Sequence, residues 1–202
     1  MKSPALQPDK LSPAEIILEA AVKRFGEYGY NKTTMAEIAD DAGMSAANIY
    51  RYFKNKEEIA AECAKNWMCQ RTDVLKSVVR DNQLSAAEKL ETYILKTLEI
   101  AQEKAAEGGK DDELCAEITK NRPDLVHDKI KNEEAILVEI LSYGNQTGEF
   151  DIDNVQEMAQ TIHSMLVVFD VPMFMHLFSK EEFAKRAASE TRFIIAGLGK
   201  TK

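Results

Sequence analysis

Cysteine, proline and glycine are all scarce in this sequence of 202 residues. The three cysteines, Cys63, Cys69 and Cys115, are odd in number and lie at no metal-ligand spacing, so the sequence predicts neither a disulfide framework nor a metal site. Five prolines and nine glycines leave few points at which a helix must end, and helix-forming residues are abundant. The composition therefore predicts an all-α protein with reduced thiols.

The sequence also has no long hydrophobic run. Its most apolar window, Ser164 to Phe178, is too short to span a bilayer and contains Asp170 and Pro172. The approach to the first helix, Lys2 to Lys10, is polar and lacks the pattern of a signal peptide. We therefore expect a cytoplasmic protein with no membrane partner.

Motifs of the common enzyme classes are missing as well. The sequence has no Gly-x-Ser-x-Gly, no His-Glu-x-x-His, no glycine-rich phosphate loop and no Cys-x-x-Cys. The histidines, His127, His163 and His176, do not share a helix face, and no nucleophile and base form a recognisable pair. We expect no catalytic residue, no metal and no cofactor.

The stretch from Thr33 to Lys56 has the pattern of a helix-turn-helix. Thr34 with Glu37 forms a capping box that starts one helix, and Gly43 can take the left-handed conformation that ends it. Ser45 then caps a second helix, in which Ile49 and Phe53 share an inward face. A first helix, capped by Ser12 and ending at Gly29, is expected to support this pair in a three-helix unit.

The outward face of the second helix carries small residues and hydrogen-bond donors. Between Ser45 and Lys56 the chain has three cations and no acid. Small residues permit close approach to a surface, and amide, phenol and cationic groups can contact base edges and phosphates. The face therefore predicts binding to double-stranded DNA through Ala46, Ala47, Asn48, Tyr50, Arg51, Tyr52 and Lys54.

This segment resembles the DNA-binding domain of the tetracycline-repressor (TetR) family of bacterial regulators. The resemblance covers about the first third of the chain and rests on Phe25, Gly29, Thr33, Thr34, Ile38, Ala39, Gly43, Met44, Ser45, Ile49, Tyr50, Tyr52, Phe53 and Lys56. It implies a homodimeric regulator, usually a repressor, that a small-molecule inducer releases from a pseudo-palindromic operator. Phosphate contacts are then expected from Thr34, Tyr50, Tyr52, Lys54 and Lys56, and base contacts from Ala46, Ala47, Asn48 and Arg51. Ser45 is also expected among the DNA-binding residues.

About nine helices are expected, arranged in a disordered arm (1–11), the helix-turn-helix domain (12–58) and a helical ligand-binding and dimerisation domain (59–202). A long helix from the Asn55 cap to about residue 80 links the domains. Further helices are predicted over 85–107 with Ser85 as cap, 111–121, 123–143, 154–177 with Asp153 as cap, and 180–198 with Ser179 as cap, with a loop over 144–148. The resemblance places the dimer interface in the last two helices, about 154–198.

Net charge is distributed unevenly between these parts. Residues 1–56 hold eight basic and seven acidic residues, which gives +1, whereas the remainder holds 18 basic and 27 acidic residues, which gives −9. The acidic surface is therefore expected to lie away from the DNA.

Asp170 is the strongest indication of a small-molecule pocket. It lies within an apolar, methionine-rich segment, where an unpaired carboxylate would be costly, so it must face a partner, solvent or a ligand. Further candidates for the lining are Trp67, Tyr93, Met165 and Phe169. One alternative function stays open: a helical protein-interaction module that has kept the fold and lost DNA binding.

Overall fold

A computed structural model describes residues 11–107 and 110–199, and within these ranges the protein is helical with no strand. The predicted all-α class is confirmed. Ten α-helices and one short 3-10 helix (Pro172–Phe174) follow one another: α1 Pro13–Tyr28, α2 Met35–Asp41, α3 Ala46–Ile49, α4 Lys56–Val79, α5 Ala86–Ala106, α6 Asp111–Asn121, α7 Pro123–Thr147, α8 Val155–Met165, α9 Val167–Asp170 and α10 Lys180–Leu198. The arm predicted over residues 1–11 lies outside the described residues except for Leu11.

Most helices begin at the predicted cap. At Ser12, Thr34, Ser85 and Ser179 both hydrogen bonds of the capping box form. Ser45 and Asn55 accept one bond each from the backbone of the third helical residue. The cap predicted at Asp153 is wrong, because the Asn154 side chain accepts from Glu157 N instead. These short-range bonds satisfy helix N–H groups that would otherwise lack a partner.

Helix α7 continues through the predicted loop at 144–148 and ends only at Gly148, whose φ is 76°. Gly144 therefore lies inside the helix, where it lets the Phe150 ring pack against the backbone. A Cβ at this position would lie 2.0 Å from Phe150 Cδ2. The glycine allows this close approach and does not end the helix.

The helix predicted over 154–177 is interrupted. Helix α8 stops before Leu166, α9 adds a single turn, and the 3-10 helix starts at Pro172. Val171 is extended (φ −99°, ψ 116°) because the residue before a proline is disfavoured in the helical region. This break accounts for ten helices where about nine were expected.

The buried apolar residues form two cores, and α4 contributes to both. The N-terminal core joins α1 to α4 and includes Ile118 from α6. The regulatory core joins the later part of α4 with α5, α7, α8, α9 and α10. The predicted linking helix is thus confirmed: Ile59 lies in the first core and Leu75 in the second.

Candidate nucleic-acid interface and effector pocket

The helix-turn-helix is built as the sequence predicts, with a turn that is closed by backbone bonds. Gly43 takes a φ of 65°, and Met44 N donates to Ala39 O at 2.8 Å. Ser45 Oγ accepts from Asn48 N at 3.3 Å and starts α3. Helix α3 comprises a single α-helical turn and is continued by further turns, in which Phe53 N donates to Ile49 O at 3.1 Å.

The side chains of this segment separate into an inward and an outward set. Ile49 is fully buried, whereas Tyr50 is 55% exposed and Tyr52 is 41% exposed. The exposed set also includes Thr34, Ser45, Ala46, Ala47, Arg51 and Lys54, and Asn48 is half-buried. The predicted DNA-contacting residues other than Asn48 and Lys56 are therefore exposed, and we call this exposed set together with Asn48 the recognition surface.

Two acidic residues of α2 are neutralised by α1. Arg24 Nε donates to Asp41 Oδ2 at 2.5 Å, and Arg24 Nη1 lies 3.2 Å from Glu37 Oε1. The hydrogen bond from Arg24 lowers the pKa of Asp41 below its ordinary value. This pairing fixes α1 against α2 and reduces the negative field near the recognition surface.

Lys56 has a different environment from the one predicted. Its ammonium donates to Tyr30 O at 2.7 Å and Thr33 O at 2.9 Å, and it lies 4.2 Å from the centroid of the Tyr30 ring. These bonds use two of the three donors of the ammonium, so the predicted phosphate contact of Lys56 stays a prediction. Lys56 also ties the start of α4 to the loop before α2.

Helix α6 of the regulatory part contacts the same loop. Glu113 Oε2 accepts from Asn31 N at 2.9 Å, and the Tyr30 hydroxyl donates to Glu117 Oε1 at 3.5 Å. Burial raises the pKa of Tyr30 to about 12, and the nearby charges of Glu57 and Glu117 act in the same direction. The loop is therefore held from one side by α4 and from the other by α6.

A buried ion cluster joins α4, α7, α8 and α9. Arg71 donates through Nε to Glu133 Oε1 at 2.7 Å and through Nη2 to Asp170 Oδ1. Lys129 Nζ reaches Glu133 Oε2 at 2.9 Å and Asp170 Oδ2 at 2.7 Å, and His163 Nε2 lies 3.2 Å from Glu133 Oε2. The Arg71 and Glu133 side chains are each 1% exposed.

The ionised form of Glu133 is strongly favoured in this cluster. Burial by itself raises the pKa of Glu133, but the hydrogen bond with His163 and the charges of Lys129 and Arg71 outweigh it and lower the pKa to about 2.

Asp170 faces protein partners in this cluster, which is one of the three possibilities that its sequence context allowed. Sequence reasoning missed Arg71, Lys129 and Glu133 as its neighbours.

An apolar pocket of about 160 Å³ lies next to this cluster, between the N-terminal unit and the regulatory helices. Trp67 forms one wall, and its ring also lies 5.8 Å from the Arg71 guanidinium. The lining comprises Val22, Cys63, Ala64, Trp67, Met68, Lys104, Leu114, Cys115, Ile118, Thr119, Val126 and Pro172.

The five residues predicted to line one ligand site do not come together at this pocket. Trp67 borders it, whereas Tyr93 and Phe169 are buried in the regulatory core because their rings pack among its aliphatic side chains. Met165 is exposed at the surface, and Asp170 is occupied by the ion cluster. Four of the five residues are therefore absent from the lining of this pocket, and their role in ligand binding stays a prediction.

Two kinds of feature are absent from the part of the chain that the structure describes. No group of three or more His, Cys, Asp or Glu side chains within them could hold a metal ion. None of the helices described is both long enough and apolar enough to cross a membrane.

A three-helix unit with a helix-turn-helix and an exposed recognition surface, set on a larger helical domain, defines a DNA-binding transcriptional regulator of the ligand-responsive class. The family of bacterial regulatory proteins, tetR family, matches residues 17–63, and the tetracyclin repressor-like C-terminal domain matches residues 86–189. The chain belongs to the TetR family.

Several relatives are regulators by name. The fatty acid metabolism regulator protein of Bacillus subtilis is 36% identical over 80 residues, which are 40% of this chain and 41% of that protein. The transcriptional repressor KstR2 of Mycobacterium tuberculosis is 26% identical over 138 residues, 68% of each chain. The crystal structure of FadR from B. subtilis in complex with stearoyl-CoA superimposes with a TM-score of 0.65 at 26% identity, over 91% of this chain and 98% of that one.

Proposed function

We propose that the protein is a cytoplasmic, homodimeric repressor that binds a pseudo-palindromic operator and is released from it by a small molecule. The observation that carries the proposal is the recognition surface, on which two tyrosines and two cations lie exposed around a buried Ile49. Such a surface matches the size and chemistry of a major groove and its flanking phosphates.

Within the recognition surface we assign two roles. Thr34, Tyr50, Tyr52 and Lys54 contact phosphates, because hydroxyl and ammonium groups at the edge of a helix-turn-helix fix its register on the backbone. The base edges are contacted by Ser45, Ala46, Ala47, Asn48 and Arg51, and among these Arg51 can donate two bonds to one guanine. Lys56 is assigned to a phosphate as well, and its ammonium also holds the loop that positions Thr34.

A homodimer would pair through the last part of the chain, about residues 154–198. There the structure leaves large apolar side chains exposed, including Phe193 at 73%, Leu177 at 50% and Met173 at 47%. Exposed apolar side chains of this size favour a protein–protein interface. A two-fold axis through that interface would place the two recognition surfaces one helical repeat of DNA apart, about 34 Å.

The test is fluorescence-polarisation binding of the protein to DNA from immediately upstream of its own gene, against random DNA, over a salt series. We expect tight, salt-dependent binding with a large specific excess. Arg51→Ala should lose about 1–3 kcal/mol on the operator and change the preferred sequence. Lys54→Ala should weaken binding to every DNA and lower the salt slope by about 1.

Lys96→Ala, which removes a half-buried cation from α5, is the control and should leave the affinity for DNA and the salt slope unchanged. Equal losses for Arg51→Ala and Lys54→Ala on operator and random DNA would contradict the two assigned roles. A folded dimer that binds no DNA at low salt would favour the helical protein-interaction module instead.

A further inference from the structure

Helix α6 lies far from the helix-turn-helix in the sequence but packs against the N-terminal unit in the fold. Ile118 of α6 is 4% exposed and belongs to the N-terminal core, and Leu114 packs against the same core. The backbone adds to this contact, because Lys110 N donates to Gly26 O of α1 at 3.1 Å. A helix of the regulatory part therefore serves as a further support of the N-terminal unit.

Glu113 extends this support to the loop before α2, which comprises residues 29–34. Its Oε2 atom accepts from Asn31 N at 2.9 Å, and hydrogen bonds to an ionised carboxylate are about twice as strong as those between neutral groups. A Cβ at Gly29 would lie 2.8 Å from the same oxygen. The absence of a side chain at Gly29 thus leaves the carboxylate room to approach the loop.

The loop passes its position on to α2 because it is bonded internally. Thr33 Oγ1 donates to Gly29 O at 2.8 Å, and Thr33 N donates to Tyr30 O at 3.2 Å. Thr34 follows directly and caps α2. A displacement of Asn31 would therefore move the start of α2, and with it the recognition surface.

The Glu113 carboxylate affects DNA binding in two opposite directions. A negative charge close to a DNA-binding surface opposes the attraction of the phosphates, whereas the bond to Asn31 N keeps the loop in place. We propose that the bond outweighs the charge, and that Glu113 acts through Asn31 as a positioning residue for operator binding. This inference rests on the proposed repressor function.

Two alanine variants separate the bond from the charge. Glu113→Ala removes both, whereas Asp112→Ala removes the same charge from the adjacent, exposed position of α6 and leaves the bond in place. We expect Glu113→Ala to bind the operator about tenfold more weakly than wild type, and Asp112→Ala to bind it at least as tightly as wild type. Glu113→Gln keeps an oxygen that can accept from Asn31 N, so it should bind about as tightly as Asp112→Ala. Fluorescence polarisation at one salt concentration measures these affinities.

Hydrogen exchange in the DNA-free proteins, followed by NMR, tests the bond itself. The Asn31 amide should exchange about tenfold faster in Glu113→Ala than in wild type. The Met44 amide, which donates to Ala39 O in the turn of the helix-turn-helix, should keep its wild-type rate. In Glu113→Gln both amides should exchange at rates close to those of wild type. Circular dichroism verifies that each variant is folded.

Three results would overturn this inference and leave the proposed function intact, provided that wild type binds the operator. The first is an Asn31 amide that exchanges at the same rate in Glu113→Ala and in wild type. The second is equal operator affinity for Glu113→Ala and Asp112→Ala. The third is an equal acceleration at Asn31 and Met44, since Glu113 would then stabilise the whole unit without positioning the loop.

A wild-type protein that binds no DNA would overturn the proposed function and this inference together. The exchange rate of the Asn31 amide would still show whether the bond to Glu113 forms.

Discussion

The N-terminal core and the regulatory core hold their helices together in different ways. In the N-terminal unit the ion pairs of Arg24 lie at the surface, around an apolar interior. In the regulatory part Arg71 and Glu133 lie inside, together with Lys129, Asp170 and His163. Apolar contacts are non-directional, whereas charge-assisted hydrogen bonds have a fixed geometry. The ion cluster therefore fixes the positions of α4, α7, α8 and α9 relative to one another.

The sharpest way to test this difference is to remove one arginine from each region. Arg71→Met removes one of the two cations that Glu133 and Asp170 share, Lys129 being the other, and we expect the free energy of unfolding to fall by about 3–5 kcal/mol. Arg24→Met breaks a surface pair with Asp41 and Glu37 and should have a much smaller effect. Urea denaturation followed by circular dichroism measures both, and equal losses would show that the two regions do not differ.

The ion cluster should also make stability depend on acid. The pKa of Glu133 is about 2 in the folded protein and has an ordinary value of 4.5 when unfolded, so the folded state favours the ionised form. This contribution is complete above pH 4.5 and is lost as pH falls towards 2, and it amounts to about 3 kcal/mol.

Glu133→Gln isolates that contribution. The variant should be less stable than wild type at neutral pH, and its free energy of unfolding should fall less steeply between pH 4.5 and 2. Parallel pH profiles for the two proteins would exclude Glu133 as the titrating group.

Two glycines inside helices offer a comparison of packing in the same regions. Gly144→Ala places a methyl group 2.0 Å from Phe150 Cδ2 and should destabilise the regulatory core by about 1–3 kcal/mol. Gly26→Ala, in α1, meets no atom within 4 Å and should stabilise the protein by about 0.5–1 kcal/mol. Thermal melts measure both effects, and melting temperatures that shift in the same direction for the two variants would contradict the packing described.

The features that could be predicted from the sequence depend on residues that lie close together in the chain. The capping serines and threonine, and the left-handed turn at Gly43, depend on residues three or four positions apart, so their pattern is visible in the chain itself. The helix-turn-helix is recognisable for the same reason. The residues expected on its outer face are exposed, apart from Asn48 and Lys56, which are half-buried.

The features that could not be predicted depend on contacts distant in sequence. Glu133 pairs with Arg71 across 62 positions and lies 3.2 Å from His163, which is 30 positions further along the chain. One signal was available: Glu133 precedes the buried Ile136 and Leu137 by three and four residues, which places an acid on an apolar helix face. Such an acid requires a cation, but the sequence does not say which one.

Lys56 and Arg71 fix α4 at two points along its length. Lys56 anchors the first turn to the carbonyls of Tyr30 and Thr33, and Arg71 lies about 22 Å further along the helix axis. For a rigid rod pivoting at Lys56, a sideways movement of about 1 Å at Arg71 corresponds to a rotation of about 3°. We therefore expect a small displacement in the regulatory core to change the direction of the recognition surface through α4.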